Sequence, residues 1–400
     1  MTPKLRFPEF KDNWKLVRLN EVASLVNGLT YDPSMICDEG ILVLRSSNVQ
    51  NGILTYADNV FVDVTDYNGV KEGDVLMCVR NGSRSLIGKT AVIDKAAAGL
   101  AFGAFMVVVR SKSIENQSFL SQVFQTNIFF RDVHRNLGAT INSINNSSLN
   151  KFQFGIPSNT TETKKLGSFF ELLSYKINLL TKKKEALETY KKGLMQKIFS
   201  QELRFKRENG TDYPEWKKIV YSEFLKERDD KHPQSDEFPL CSFVAHKGVV
   251  PKGDRYNREF LVNDKKGKKY KRTKKDDFIY SSNNLETGSI GLNEYGNGCI
   301  SPVYSVFSID KGCDINFIAH YLVTKANLHK MIRFRQGVMY GQWRIHETDF
   351  LKIKVAIPSN EEQKHIGEIL ESMNSGLEEL ERLISATSKL KKGLLQQMFA

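Results

Sequence analysis

The sequence predicts an α+β chain in which two globular mixed-sheet units are joined by two long helices forming an antiparallel coiled coil. Three observations predict it. The chain repeats itself at a spacing of roughly 200 residues. A seven-residue apolar period runs through the end of each copy. Short β-branched or aromatic runs, bounded by Gly, Asn or Asp, fill the interiors.

The repeat is clearest at the ends of each copy. Ile156-Pro157-Ser158-Asn159 returns as Ile357-Pro358-Ser359-Asn360, and Lys191-Lys192-Gly193-Leu194 as Lys391-Lys392-Gly393-Leu394. Phe199 matches Phe399. At the entry, Leu5-Arg6-Phe7 with Trp14-Lys15 matches Leu203-Arg204-Phe205 with Trp216-Lys217. Between these ends the match thins to pairs such as Ile87-Gly88 with Ile290-Gly291. Alike ends imply a common scaffold, and divergent interiors imply two surfaces binding two different things. Drift after duplication is the competing account, but drift alone would blur the ends as well.

After each Ile-Pro-Ser-Asn the proline stops a strand, and Ser-Asn offers helix-capping side chains. Leu166, Leu173, Leu180, Leu187 and Leu194 then fall at every seventh position, with Phe170, Ile177 and Ile198 as companions. The second copy holds Ile366, Met373, Leu380, Thr387 and Leu394 in the same register, with Leu370, Leu377, Ile384 and Met398. A period of seven keeps one seam on a partner helix, so each copy ends in a coiled-coil helix of ~35 residues and ~50 Å. Lys184, Lys191 and Lys391 interrupt the seam, either to set register or to open onto another subunit. The predicted organisation is a globular unit at 1–155, a helix at 156–200, a second unit at 201–356 and a final helix at 357–400.

Strands are expected at Ile41–Leu44, Val75–Val79, Thr90–Ile93, Phe105–Arg110, Phe278–Ser281 and Val303–Ile309, and helices at 115–135 and 314–335.

The net charge of +12 favours a polyanionic partner, with nucleic acid the commonest. Three segments carry groups suited to DNA. The first, between strands, is Arg80, Asn81, Ser83, Arg84 and Ser85, followed by Lys89; Arg and Asn match guanine and adenine edges, and Ser suits phosphate. The second is the loop 265–275, eight of whose eleven residues are basic, with Lys268, Lys269, Lys271 and Arg272 as candidates. A solvated loop without a ligand is the competing reading there. The third is Arg333, Arg335, Tyr340, Gln342, Trp343 and Arg344, which mixes forked donors with aromatics; its counterpart in the first copy contains Asn142.

Several chemistries lack their residues. The stretch Gly82 to Gly88-Lys89-Thr90 has five residues between its glycines where a phosphate-binding loop needs four, and it leads into a strand. There is no Gly-x-Gly-x-x-Gly, no Asn/Asp-Pro-Pro-aromatic tetrapeptide and no second His at metalloprotease spacing after His346-Glu347. The five cysteines have no zinc-site spacing and read as free thiols of a reducing compartment. The longest apolar stretch, near Leu100–Val109, is too short to span a membrane, and no secretory signal follows Met1. A cytoplasmic, non-catalytic protein with no metal site is expected.

Two diverged units, each followed by a near-identical helix ending in Lys-Lys-Gly-Leu-hydrophobic-Gln, resemble the specificity subunit of type I restriction-modification systems. The resemblance rests on the Leu-Arg-Phe…Trp entries, the Ile-Pro-Ser-Asn exits and the helix ends at 191–199 and 391–399. It implies two target recognition domains, each reading one half of a bipartite asymmetric DNA site, with the helices fixing the unread gap. It also implies two modification subunits that bring S-adenosylmethionine and adenine-N6 methylation, and restriction subunits that bring ATP, Mg and nuclease activity for host defence. No base-contacting residue carries over by motif. The alternative from charge alone is a stand-alone two-module DNA-binding regulator.

Overall fold

The computed structural model describes residues 2–50, 52–56, 58–138, 142–245, 247–252, 269–338 and 342–399. The chain divides into two compact units. Unit 1 comprises Met1–Lys183 with Leu380–Ala400, and unit 2 comprises Lys184–Glu379. Each long helix therefore contributes one end to each unit.

In unit 1 the strand Lys15–Arg18 pairs antiparallel with Gln153–Ile156, so the repeated entry and exit segments lie side by side. The central sheet has four antiparallel strands in the order Ala23–Asn27, Met106–Ser111, Val75–Cys78, Thr90–Val92. Val75–Cys78 is buried on both faces, which explains its unbroken apolar run. A smaller sheet contains Ile41–Leu44 paired in parallel with Ala101–Phe102. The segment expected as one helix over 115–135 is two, Gln117–Val123 and Asn127–Arg135. Thr126 separates them: its extended backbone and its Oγ1, which accepts from Phe129 N at 3.3 Å, start a new helix.

Unit 2 repeats this plan with different residues. Lys217–Val220 pairs antiparallel with Lys354–Ile357. The four-stranded sheet runs Leu225–Glu227, Ser305–Ile309, Phe278–Tyr280, Ile290–Leu292. Thr324 divides the helical stretch into Ile315–Leu322 and Lys325–Ile332, as Thr126 does in unit 1. Even a buried charge is repeated. Asp74, before the central strand of unit 1, is gripped by Arg110, and Asp277, before its counterpart, by Arg228.

The long helices run Thr160–Phe199 and Asn360–Met398, 40 and 39 residues. The predicted seam is the face that each turns inward. Leu166, Phe170 and Ile198 are buried, and Leu173, Leu180, Leu187 and Leu194 half-buried; Ile366, Leu370, Leu380 and Met398 are buried, and Met373 and Leu394 half-buried. Within unit 1, Phe170 meets Phe399 at 5.7 Å between ring centroids, so the start of one helix lies against the end of the other. Within unit 2, Ile198 shares a core with Ile366 and Leu370, while Lys191 bonds Asn374. The pairing is antiparallel in both units.

The seam lysines are bonded within the chain. Lys391 Nζ donates to Gln125 Oε1 at 2.7 Å, and burial pushes its pKa down to about 8. Lys184 approaches Glu188 at 3.4 Å. Lys191 Nζ donates to Asn374 Oδ1, whose Nδ2 faces His320 Nε2 at 3.3 Å and Glu371 Oε2 at 3.3 Å.

The entry segments are clamped to the helix starts. Arg6 Nε and Nη2 donate to Glu162 Oε1 and Oε2 at 2.6 and 2.7 Å, and Trp14 Nε1 donates to the same carboxylate at 3.2 Å. Glu162 is fully buried in the first turn of its helix. Arg204 grips Glu362 by the same two nitrogens, at 3.3 and 2.9 Å. Beside each clamp the repeated leucine donates its backbone N–H to a long-helix end: Leu203 to Lys197 O at 3.0 Å, and Leu5 to Gln397 O at 2.9 Å.

Removing one partner of a buried ion pair leaves the other uncompensated. Arg6→Ala is expected to cost about 3 kcal/mol, near the low end for such pairs because Arg6 keeps some exposure. A urea midpoint within error of the unaltered chain would refute this. A second prediction concerns acid. Burial, then the charge of Lys191, pushes the His320 pKa from 6.5 down to about 4. The folded ring stays neutral while the unfolded ring takes up a proton below 6.5, so stability falls as pH drops from 6.5 to about 4. His320→Gln should flatten that limb of the urea-midpoint curve; an unchanged limb would count against the assignment.

Candidate nucleic-acid interface

The central strand of each unit ends in a polar loop, and in each unit a second segment from far along the chain closes on that loop. In unit 1 the strand Val75–Cys78 runs on into Arg80–Ser85. Ile144 N donates to Val79 O at 2.9 Å, Asn81 N to Asn142 O at 3.2 Å, and Asn142 Nδ2 back to Gly82 O at 2.9 Å. The sequence candidates Arg80–Ser85 and Asn142 are thus brought together. Their roles divide. Asn81 Nδ2 donates to Ser46 Oγ at 3.0 Å while its Oδ1 accepts from Ser83 N at 2.9 Å. Both asparagines therefore hold the loop's shape in the free chain. Arg80, Ser83, Arg84 and Ser85 face solvent. The Arg80 guanidinium lies 5.4 Å from the ring centroid of Phe105, an aromatic that is 55% exposed. Ser83 and Ser85 hydroxyls share a 2.9 Å bond, and Arg84 Nη2 reaches His134 O at 3.4 Å. Lys89 stands apart, half-buried where the chain enters the strand Thr90–Val92. That strand also separates this turn from a phosphate-binding loop, which leads into a helix.

In unit 2 the corresponding loop follows Phe278–Tyr280. Ile345 N donates to Ser282 Oγ at 3.1 Å, and Trp343 N to Asn283 Oδ1. The hairpin Gln336–Val338 with Gln342–Arg344 carries Trp343, 49% exposed, and the exposed Arg344, whose Nη2 is 3.7 Å from Glu347. Arg333 caps the helix Lys325–Ile332 and is exposed. Arg335 is recessed, its side chain 8% exposed and its Nη1 bonded to Glu286 at 3.0 Å. Lys268, Tyr340 and the side chain of Gln342 lie outside the described residues.

The basic run expected as a loop is, in its described part, largely a strand. Tyr270–Thr273 lies between Lys231–His232 and Gly298–Ile300. Strand alternation buries Lys271, which pairs with Asp229 at 3.4 Å, and lays Arg272 over Phe238 at 4.5 Å. Lys269, just before the strand, is exposed.

Sequence reasoning missed Ser46 and Phe105 in unit 1 and Ser282, Asn283 and Glu286 in unit 2. The Asn283 loop was within reach: extending the offset of Ile87 and Ile290 back to Asn81 leads to Asn284, the next residue. Ser46 and Phe105, each beside a strand of unit 1, reach the site only through long-range contacts and carry no local signal. Among the described residues, no cluster of three or more His, Cys, Asp or Glu is placed to hold a metal, and no helix is long and apolar enough to cross a membrane. The buried Cys78 thiol is pushed up to about 11 by burial.

A family model described as the type I restriction modification DNA specificity domain matches residues 11–189 and 247–387. The chain belongs to that family. It is 27% identical over 156 residues to the type I restriction enzyme StySPI specificity subunit of Salmonella potsdam, covering 37% of this chain and 33% of that protein. It is 25% identical over 154 residues to the EcoKI specificity subunit of Escherichia coli (strain K12), covering 36% and 33%. The aligned stretch thus spans a third of the length of each. The fold is similar to the S subunit of a type I restriction-modification system from M. genitalium, with a TM-score of 0.64 at 15% identity over 100% of this chain and 99% of that one. A second solved structure, described under complex assembly and conformational transition of the type I R-M system, gives a TM-score of 0.53 at 13% identity over 97% of each chain.

The two roles in the unit 1 loop separate by substitution. Arg80→Ala should leave thermal stability unchanged, since its guanidinium is exposed. Asn81→Ala removes both side-chain ties that Asn81 makes and should cost about 1–2 kcal/mol in urea melts. Equal stability of the two variants would show that Asn81 does not hold the loop.

Proposed function

We propose that this chain is the DNA sequence-specificity subunit of a type I restriction-modification complex. Each unit reads one half of a bipartite, asymmetric site, through recognition domains at 1–155 and 201–356. The long helices set the unread gap. The observation that carries this reading is the pairing of equivalent scaffold with unlike loops. Both units end their central strand in a polar loop closed by a distant segment, yet one presents Arg80, Ser83 and Arg84 beside Phe105 and the other Trp343 and Arg344 beside Asn283. Two equivalent platforms with different side chains suit two different half-sites. Helices of 39 and 40 residues are ~60 Å long, about 1.7 turns of B-DNA at ~34–36 Å per turn.

The chain itself supplies sequence choice and no chemistry. Two modification subunits would bring S-adenosylmethionine and adenine-N6 methyl transfer, and restriction subunits ATP- and Mg-dependent translocation and cleavage. The complex would act in the cytoplasm.

The test is single-molecule methylome sequencing of cells expressing the chain with its modification subunit. A new split motif of methylated adenines is expected, and exchanging 217–356 for another interior should change one half only. Four residues inserted near the exposed Thr189 add about one helical turn and should change the gap with both halves intact. A complex that forms and methylates nothing, or an insertion that alters a half-site and leaves the gap, would overturn the reading.

A further inference from the structure

Four arginines in this chain grip carboxylates in one way. Arg6 on Glu162, Arg110 on Asp74, Arg204 on Glu362 and Arg228 on Asp277 each use Nε together with Nη2. Those two nitrogens form one edge of the guanidinium, with two parallel N–H donors that match a pair of acceptors. Arg335 has the same edge empty. Its Nη1 is taken by Glu286 at 3.0 Å, while Nε and Nη2 are both buried without a hydrogen-bond partner. Among the described residues it is the one arginine in which both donors of that edge are buried and unpartnered. Arg45 and Arg272 have a buried, unpartnered Nε alone.

A buried donor without an acceptor is costly, and a charged one more so. The neighbours point to what would meet this edge. Arg335 follows the helix Lys325–Ile332 and leads directly into the hairpin that carries the half-exposed Trp343 and the exposed Arg344. Its one partner, Glu286, belongs to the loop after the central strand, the counterpart of the Arg80 loop in unit 1. The empty edge therefore sits where the two segments of the candidate interface meet.

We propose that Arg335 is a DNA contact of unit 2, its Nε/Nη2 edge, closed off from solvent in the free chain, opening on binding to meet a pair of acceptor atoms on the target: O6 and N7 of a guanine, or two oxygens of a phosphate. Glu286 is a positioning residue that holds the guanidinium by its remaining nitrogen. This contact rests on the DNA-reading function proposed above.

The experiment uses the full chain in complex with its modification subunit, with Arg335→Gln, Arg335→Lys and Glu286→Gln. The probes are a labelled duplex carrying the motif that the unaltered complex methylates and one with the unit 2 half-site scrambled. Arg335→Gln should lose roughly 5- to 150-fold on the target duplex, with little loss on the scrambled one for a base contact and a similar loss on both for a phosphate contact. Glu286→Gln should keep most of the affinity, because the reading edge survives. Methylome sequencing separates the two sources of acceptors. A guanine position that relaxes, or turns to adenine with Gln, assigns the base; an unchanged motif with a salt slope shallower by ~0.9 assigns a phosphate. Arg335→Lys keeps charge and ion pair without the fork, and it carries the test should Arg335→Gln fail to assemble. Target affinity unchanged in the Arg335 variants, or Glu286→Gln as damaging as Arg335→Gln, would overturn the contact and reduce Arg335 to a structural ion pair. An unaltered complex that prefers no sequence would overturn the reading function, and this contact with it.

Discussion

A carboxylate buried in the first turn of each long helix holds the scaffold together. Glu162 and Glu362 are out of solvent, and such a charge is tolerable only when its oxygens are answered. In unit 1 the answer comes from Arg6 and Trp14, eight residues apart on the entry segment, so the whole stretch from Leu5 to Trp14 is tied to the helix start. That placement brings Lys15–Arg18 alongside Gln153–Ile156 and closes the globular unit at its base. The helix dipole adds to the effect, since negative charge is favoured in a first turn. Unit 2 uses Arg204 in the same role, with added bonds from its Nη2 to the carbonyls of Tyr213 and Pro214. The repeated arginine follows from this one demand; the repeated tryptophan answers the carboxylate in unit 1 alone, since the buried Trp216 Nε1 has no hydrogen-bond partner.

With the base fixed, the interior is free to differ. Both units order their four-stranded sheet alike, break their helical stretch at a capping threonine and bury an aspartate before the central strand. The arginine that answers that aspartate comes from different places in the two units, Arg110 on Met106–Ser111 and Arg228 just after Leu225–Glu227. Geometry is kept while residues move. Such a scaffold can change what it displays without changing how it folds.

The sequence was most legible where a period forces a face. The heptad leucines lie on the inward stripe because a seven-residue repeat permits no other placement. Central strands such as Val75–Cys78 were legible because burial on both faces makes their composition extreme. Glu162 was not legible, because a glutamate in a first helical turn looks like an ordinary exposed cap. Lys271 was misleading for the opposite reason: inside a run of eight basic residues nothing local reveals that strand alternation turns it inward to Asp229. The candidate interface was half legible. Arg80 and Asn142 were named from chemistry, but Phe105 and Ser46 arrive through long-range pairing, and the division between Asn81 as scaffold and Arg80 as display exists only in three dimensions.

The bond from Leu5 N to Gln397 O closes a circle. In unit 2 the same leucine contact, Leu203 to Lys197, follows directly along the backbone from the helix end, so no break is needed there. In unit 1 the contact is made without a peptide link. The polypeptide is thus linear in its covalent order and ring-like in its folding instructions. A hydrogen bond in one unit and backbone continuity in the other thus hold the entry leucine in the same place.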